Sequence, residues 1–366
     1  MPQPQSLSPV DTRDTEAALT QALDIRSNGG VPLLIDPRAP IAPELLTTPL
    51  PAAAAWAALT SGTTGAPKIV VRSAHSWQVA FDPLNTELGL HPIDGLWMPV
   101  HQVSSMALFS AAWAHDSGFN LVIPQPHDLG LTRATVAHVT PIWLDKLVRY
   151  LEAEEPSTIH TVLVGGDRLA PALAARAQAV GLRVITYVGA AELSFVAWNT
   201  GSGLRAFPGV NLRIVNDQLW VASPQTALQV IGGSLSRCVD QGIEWVTVGD
   251  RVRQRADGVL EFYGRADGAI LTAGATVVPG DVETVINAHP EVTASLVLGQ
   301  PDVVLGQRVV AWVEGTADLT ELRTWARSRL PKAAQPVQWR RVDHLPRTVS
   351  GKIRRVVPEE TCLASS

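Results

Sequence analysis

The spacing of apolar positions changes along the chain, and those changes predict its elements. Residues 15–25 carry apolar side chains at helical spacing, and residues 31–35 form a short apolar run that ends at Asp36-Pro37, which predicts a helix followed by a strand. Residues 37–55 are rich in Pro and Ala and read as a connection. Beyond them, short β-branched runs at 120–124, 161–164 and 182–187 alternate with amphipathic Ala- and Leu-rich stretches at 144–152 and 171–179. That alternation predicts a layered α/β domain around a largely parallel sheet.

From 210 to 263 the pattern becomes strands separated by turn residues, among them Asn216-Asp217 and Asp257-Gly258, so this part should be mostly antiparallel. A compact series follows: a helix at 279–288, strands at 293–298 and 308–314, a helix at 319–329 and a strand near 337–342. A small α+β unit of roughly 100 residues is large enough to be a domain. The expected fold class is therefore α/β, a large layered α/β N-terminal domain (1–265) with a small α+β C-terminal domain (266–366). No repeat or low-complexity tract interrupts it.

Composition narrows the function. The 366 residues are 46% hydrophobic and 17% charged, with a formal net charge of -5, which fits a soluble globular chain and leaves no basic excess for a nucleic-acid footprint. Two cysteines, Cys238 and Cys362, form neither a metal-spaced pair nor a disulfide framework. The first eight residues lack a basic segment followed by an apolar one, and the longest apolar stretches fall short of the roughly 20 residues that span a bilayer. A cytoplasmic protein without a membrane span is expected; a homo-oligomer is compatible with the sequence.

The most informative stretch is Leu59-Thr60-Ser61-Gly62-Thr63-Thr64-Gly65-Ala66-Pro67-Lys68. Its glycines permit backbone geometries closed to other residues, its hydroxyls are donors, and Lys68 adds a positive charge, a combination suited to a polyphosphate. It is not a Walker A loop, because Ala66-Pro67 separates the second glycine from the lysine. Taken alone, it is equally compatible with a flexible surface loop.

In this form the stretch resembles the signature of the adenylate-forming superfamily of acyl-CoA synthetases, aryl-CoA ligases and adenylation domains. Four further segments resemble that family in its order: Val188-Gly189-Ala190-Ala191-Glu192, Thr247-Val248-Gly249-Asp250, Gly264-Arg265-Ala266-Asp267, and Pro346-Arg347-Thr348-Val349-Ser350-Gly351-Lys352-Ile353. The resemblance runs from 60 to 354 and implies ATP-dependent activation of a carboxylic acid as an acyl-adenylate. Transfer to a thiol follows, that of coenzyme A or of an acyl carrier protein.

It also implies roles. Thr60, Ser61, Gly62, Thr63, Thr64, Gly65 and Lys68 would hold the ATP phosphates, with Gly189, Ala190 and Ala191 beside the nucleotide. Asp250 would accept both ribose hydroxyls and Arg265 would contact the ribose or adenylate. Glu192 would help hold Mg2+, a hard cation that bridges carboxylate to phosphate. Lys352 would offset charge developing at the α-phosphate, and Asp267 would be the hinge of the small domain. His101, in Pro99-Val100-His101, matches a position near the acyl pocket, although a core or capping histidine reads as well. Gly165 and Gly166 would lie at the acyl and adenine pockets, and Gly274 on the thiol tunnel.

The chain departs from the family at Val188, where an aromatic residue normally stacks on adenine, and at Ala191, where Thr normally contacts the α-phosphate. Tyr187, one position earlier on a strand, should face the opposite way and not substitute. Only 59 residues precede Thr60, a brevity that resembles a compact branch including bacterial o-succinylbenzoate:CoA ligases. A mostly apolar pocket lining favours an aromatic or medium-chain acid over an amino acid.

Overall fold

The computed structural model describes residues 6–37, 41–61, 67–125, 127–265, 270–272, 275–302, 305–348 and 351–358; for Ser61, Pro67, Tyr263, Arg265, Leu271, Ala275 and Thr276 only the backbone is described. The chain divides into two compact units, one of Met1–Leu169, Leu173–Val248 and Gln254–Glu261, the other of Ala170–Ala172, Gly249–Arg253 and Phe262–Ser366.

The first unit contains a seven-stranded sheet. Its order is Arg205–Ala206, Ser194–Asn199, Arg183–Ala190, Thr161–Val164, Val136–Val139, Gly95–Trp97 and Asn120–Val122. The last five strands of that order are mutually parallel, and the first three are antiparallel. Parallel strands are buried on both faces, so they read as continuous apolar runs; Val136–Val139 and Thr161–Val164 are buried at every position.

One covering helix, Pro141–Glu152, turns a stripe of Leu144, Leu147 and Val148 into the core, the spacing of a half-buried helix. Another, Ser105–Ser117, is buried at every position from Ala107 through Ala114, which is why its sequence is apolar all round. The Ser104 hydroxyl caps its first turn by accepting the Ala107 amide, and Gly118 ends it in the left-handed region.

A second sheet runs Leu7–Asp11, Val31–Ile35, Trp56–Ser61, Pro67–Arg72 and Gln229–Ile231, with the first three strands parallel and the rest antiparallel. The sequence pattern misses Leu7–Asp11, because Ser8 and Pro9 dilute its apolar signal; Pro9 is tolerated because this strand is an edge. Residues 211–247 form two antiparallel hairpins, Asn211–Val215 with Gln218–Ala222 and Ser236–Asp240 with Ile243–Thr247. The first turns through Asn216 and Asp217, both at positive φ, the backbone that a two-residue hairpin turn demands.

In the second unit Gly306–Gly315 is the central strand, flanked by Val292–Asp302 (antiparallel) and Gln338–Arg341 (parallel). Its side chains alternate between two cores. Val309, Ala311 and Val313 pack with the helices Pro279–Asn287 and Leu319–Arg327, while Val310 and Trp312 face a smaller cluster with Leu296 and Leu345. The fold is thus a large layered α/β part with a small α+β part.

Candidate active site

Gly62, Thr63, Thr64, Gly65, Asp267 and Gly274 lie outside the described residues. The rest of the phosphate stretch is less loop-like than the sequence suggests. Thr60 and Ser61 end the strand Trp56–Ser61 and Pro67 and Lys68 begin the next, with Thr60 paired to Lys68 and Ser61 to Pro67. Pairing across the hairpin draws these flanks into the sheet, an effect that local propensity does not carry. The Lys68 chain lies along the backbone of Gly233; a Cβ there would sit 2.7 Å from its Cδ.

His101, Gly165, Gly166 and the 189–192 segment meet at one edge of the parallel sheet. His101 and Gly165-Gly166 follow the C-terminal ends of Gly95–Trp97 and Thr161–Val164, and Gly189 and Ala190 end Arg183–Ala190, all at the edge at which open α/β sheets bind ligands. A parallel bridge from Leu59 to Ser104 joins the phosphate hairpin to the loop that holds His101. The His101 Nδ1 accepts the Val103 amide at 3.4 Å and its carbonyl accepts the Ser104 amide at 2.9 Å, so this histidine shapes the turn that enters the buried helix.

Glu192 sits in a three-residue turn between Ala190 and its partner Ser194. Gly189 is required there by close approach: a Cβ would meet the Ser194 carbonyl oxygen at 2.0 Å. The turn is held from behind by Arg72, a fully buried residue that motif reading does not single out. Its guanidinium donates to the Ala191 carbonyl at 2.9 Å and to the Gln225 carbonyl. Burial pushes the Arg72 pKa down to about 9, opposed by the Glu192 carboxylate, so it stays charged at neutral pH. Gln225 grips the same hairpin through Phe195, and the Ala227 amide donates to the Glu192 carbonyl at 2.8 Å.

The Tyr187 ring lies 4.4 Å from that of Phe195, centroid to centroid. Its ring also occupies the space in which a Gly165 Cβ would stand, 2.1 Å from Cζ, so Gly165 makes room for a tyrosine. The Tyr187 hydroxyl lies 3.0 Å from His138 Nε2, whose Nδ1 lies 2.8 Å from the Ser110 hydroxyl. Ser110 donates to the Met106 carbonyl, so His138 Nδ1 carries the proton and Nε2 accepts from Tyr187. Burial pushes the His138 pKa down to about 3 and raises that of Tyr187, which keeps both neutral. No motif marks Ser110 or His138; both look like ordinary members of apolar segments.

Asp250 begins the strand Asp250–Gln254 and Arg265 ends Leu260–Arg265; Asp250 falls in the second unit, as does Lys352. Lys352 is exposed, follows Gly351 at φ 88°, and has no ion-pair partner among the described residues. Among those residues, no group of three His, Cys, Asp or Glu could hold a metal ion, and no helix is long and apolar enough to cross a membrane.

Comparison with known proteins fits this arrangement. Residues 7–228 match the AMP-binding enzyme family and residues 281–352 match its C-terminal domain. The uncharacterized acyl-CoA ligase YhfT of Bacillus subtilis is 29% identical over 323 residues, covering 81% of this chain and 66% of the relative. The 2-succinylbenzoate-CoA ligase of Escherichia coli is 29% identical over 295 residues, covering 77% and 63%. The chain therefore spans just under two thirds of the length of these relatives. The crystal structure of ATP-bound MatB from Rhodopseudomonas palustris superposes with a TM-score of 0.82 at 20% identity, covering 97% of this chain and 88% of that one. With the larger model matching well over half of its length, the chain belongs to the AMP-binding enzyme family.

Proposed function

We propose that this protein is an ATP-dependent acid-thiol ligase. The carboxylate oxygen of the substrate attacks the α-phosphorus of ATP, the bond to the β-phosphate oxygen breaks, and pyrophosphate leaves. The sulfur of coenzyme A then attacks the acyl carbonyl, AMP departs, and the thiol proton passes to solvent. The observation that carries this reading is the convergence of the phosphate hairpin, the His101 loop, Gly165-Gly166 and the Glu192 turn at the C-terminal edge of the parallel sheet.

Lys68 and the phosphate stretch, from Thr60 and Ser61 through Gly62, Thr63, Thr64 and Gly65, bind the polyphosphate. Gly189, Ala190 and Ala191 border the nucleotide, Asp250 and Arg265 take its ribose, and Asp267 is the hinge of the small domain at 266–366. Lys352 opposes charge developing at the reacting phosphate; a contact of this kind, made mainly in the transition state, is worth about 3 to 4 kcal/mol. A lone carboxylate in a turn fits Mg2+, which takes one or two carboxylates and completes its shell with phosphate and water oxygens. Glu192 would hold it, and the ion would neutralise phosphate charge. A cytoplasmic setting, with its supply of ATP and coenzyme A, suits the reaction.

For the acid we propose 2-succinylbenzoate, the substrate in the name of the E. coli relative. Pyrophosphate release should be measured with Mg-ATP over a panel of acids, each with and without coenzyme A. Release stimulated by 2-succinylbenzoate, with its coenzyme A thioester seen by mass spectrometry, is the expected result. Release without thioester would move the acceptor to a carrier protein, and silence across the panel with nucleotide still bound would overturn ligase activity.

A further inference from the structure

The loop that presents Lys352 is built in the second unit with more polar structure than its exposure calls for. The Thr348 amide donates to the Lys352 carbonyl at 2.7 Å, and the Lys352 amide donates to the Thr348 hydroxyl at 3.2 Å. Arg347 and Ile353 pair as an antiparallel bridge, and the Arg354 amide donates to the Pro346 carbonyl at 2.7 Å. Ile353 packs on the cluster of Leu296, Val310, Trp312 and Leu345, so alternation turns its neighbour Lys352 outward.

Each stem of this loop is tied to the rest of the second unit by an arginine-carboxylate pair. Before Lys352, Arg347 Nη2 lies 2.8 Å from Glu314 Oε2, and the other Glu314 oxygen accepts the Leu345 amide. Glu314 is 6% exposed, on the same face of its strand as Val310 and Trp312. A carboxylate in that apolar face is costly unless paired, and an apolar residue of similar size would pack there as well. After Lys352, Arg355 makes a two-pronged pair with Glu283 at 3.0 and 2.9 Å, and Glu283 also accepts the Val297 amide at 2.9 Å. The two clamps thus reach different elements, the strand Gly306–Gly315 and the helix Pro279–Asn287.

We propose that Arg347 with Glu314 and Arg355 with Glu283 are positioning residues that hold Lys352 at a set height and direction for acyl-adenylate formation; the inference rests on the reading of Lys352 given above. The two-pronged pair of Arg355 with Glu283 fixes both distance and plane, which a single charge does not, and Arg347 adds one charged hydrogen bond to Glu314 on the other stem. Misplacing a reacting group by about 1 Å costs about a hundredfold in rate. The clamps therefore matter for the half-reaction that uses Lys352 and not for the transfer of the acyl group to the thiol.

The test compares the two half-reactions in the full-length protein. Adenylation is read by ATP-pyrophosphate exchange with 2-succinylbenzoate, and transfer by consumption of synthetic 2-succinylbenzoyl-adenylate with coenzyme A. Arg347→Met and Arg355→Met, both at partly exposed side chains and so expected to fold, should each lower exchange about tenfold to a hundredfold and leave transfer within about twofold. Arg355→Lys should restore exchange in part, because it keeps the charge and loses the fork with Glu283. Equal losses in both half-reactions, or no loss in either, overturn the proposal. Lys352→Ala runs in parallel: if it abolishes exchange while the arginine variants do not, the clamps alone are refuted, and if it leaves exchange intact, the reading of Lys352 falls and the clamps with it.

Discussion

At the scale of single residues, the groups that matter most to the site's geometry are not those that carry its motifs. Glu192 and Lys352 stand out in the sequence through their neighbours, whereas Arg72 is 119 positions from the Ala191 carbonyl that it holds. A lone arginine on a β-branched strand gives no sign of such a bond. Removing its guanidinium leaves two buried carbonyls without donors, at about 1–3 kcal/mol each. Arg72→Met should therefore lower unfolding free energy by about 2–5 kcal/mol in urea titrations. A loss under about 1 kcal/mol would mean that the carbonyls of Ala191 and Gln225 find other donors.

At the scale of elements, most boundaries were legible because periodicity and burial agree. The strands Val31–Ile35 and Thr161–Val164 and the helix Pro171–Ala179 coincide with their apolar patterns, and the helices at 279 and 319 start where expected. The sequence pattern of the phosphate stretch suggests one loop, yet its flanks are paired strand, because a partner across the hairpin is invisible to a local pattern. Gly189 belongs to the same scale, for its hydrogen is what lets the hairpin Arg183–Ala190 and Ser194–Asn199 close under Glu192. Gly189→Ala should cost about 3 kcal/mol, the upper end for an overpacked site. Gly118→Ala, a left-handed position with nothing within 4 Å of its missing Cβ, should cost only about 1–2 kcal/mol. Thermal unfolding of the two variants makes the comparison, and equal costs would show that the strand Ser194–Asn199 yields at no expense.

At the scale of the whole molecule, the buried relay of Ser110, His138 and Tyr187 sets a pH dependence of folding. The native pKa of His138, about 3, lies below the unfolded value, about 6.5. The unfolded chain therefore binds the proton first as pH falls, and stability drops by roughly 1.4 kcal/mol per pH unit below about pH 6.5, with no contribution above it. His138→Gln should flatten the fall in unfolding free energy between about pH 6 and 4 relative to the parent, and parallel curves would refute the assignment. Sequence by itself determined the alternation of elements, the α/β class and the order of the motifs, because these follow from local periodicity and from residue types held at short spacing. Tertiary structure alone decided that Arg72 backs the Glu192 turn, that Gly165 yields to Tyr187, and that Glu314 and Glu283 reach the arginines on either side of Lys352. Those contacts join positions far apart in the chain, and a buried charge or a missing Cβ acquires meaning only from what the folded sheet places against it.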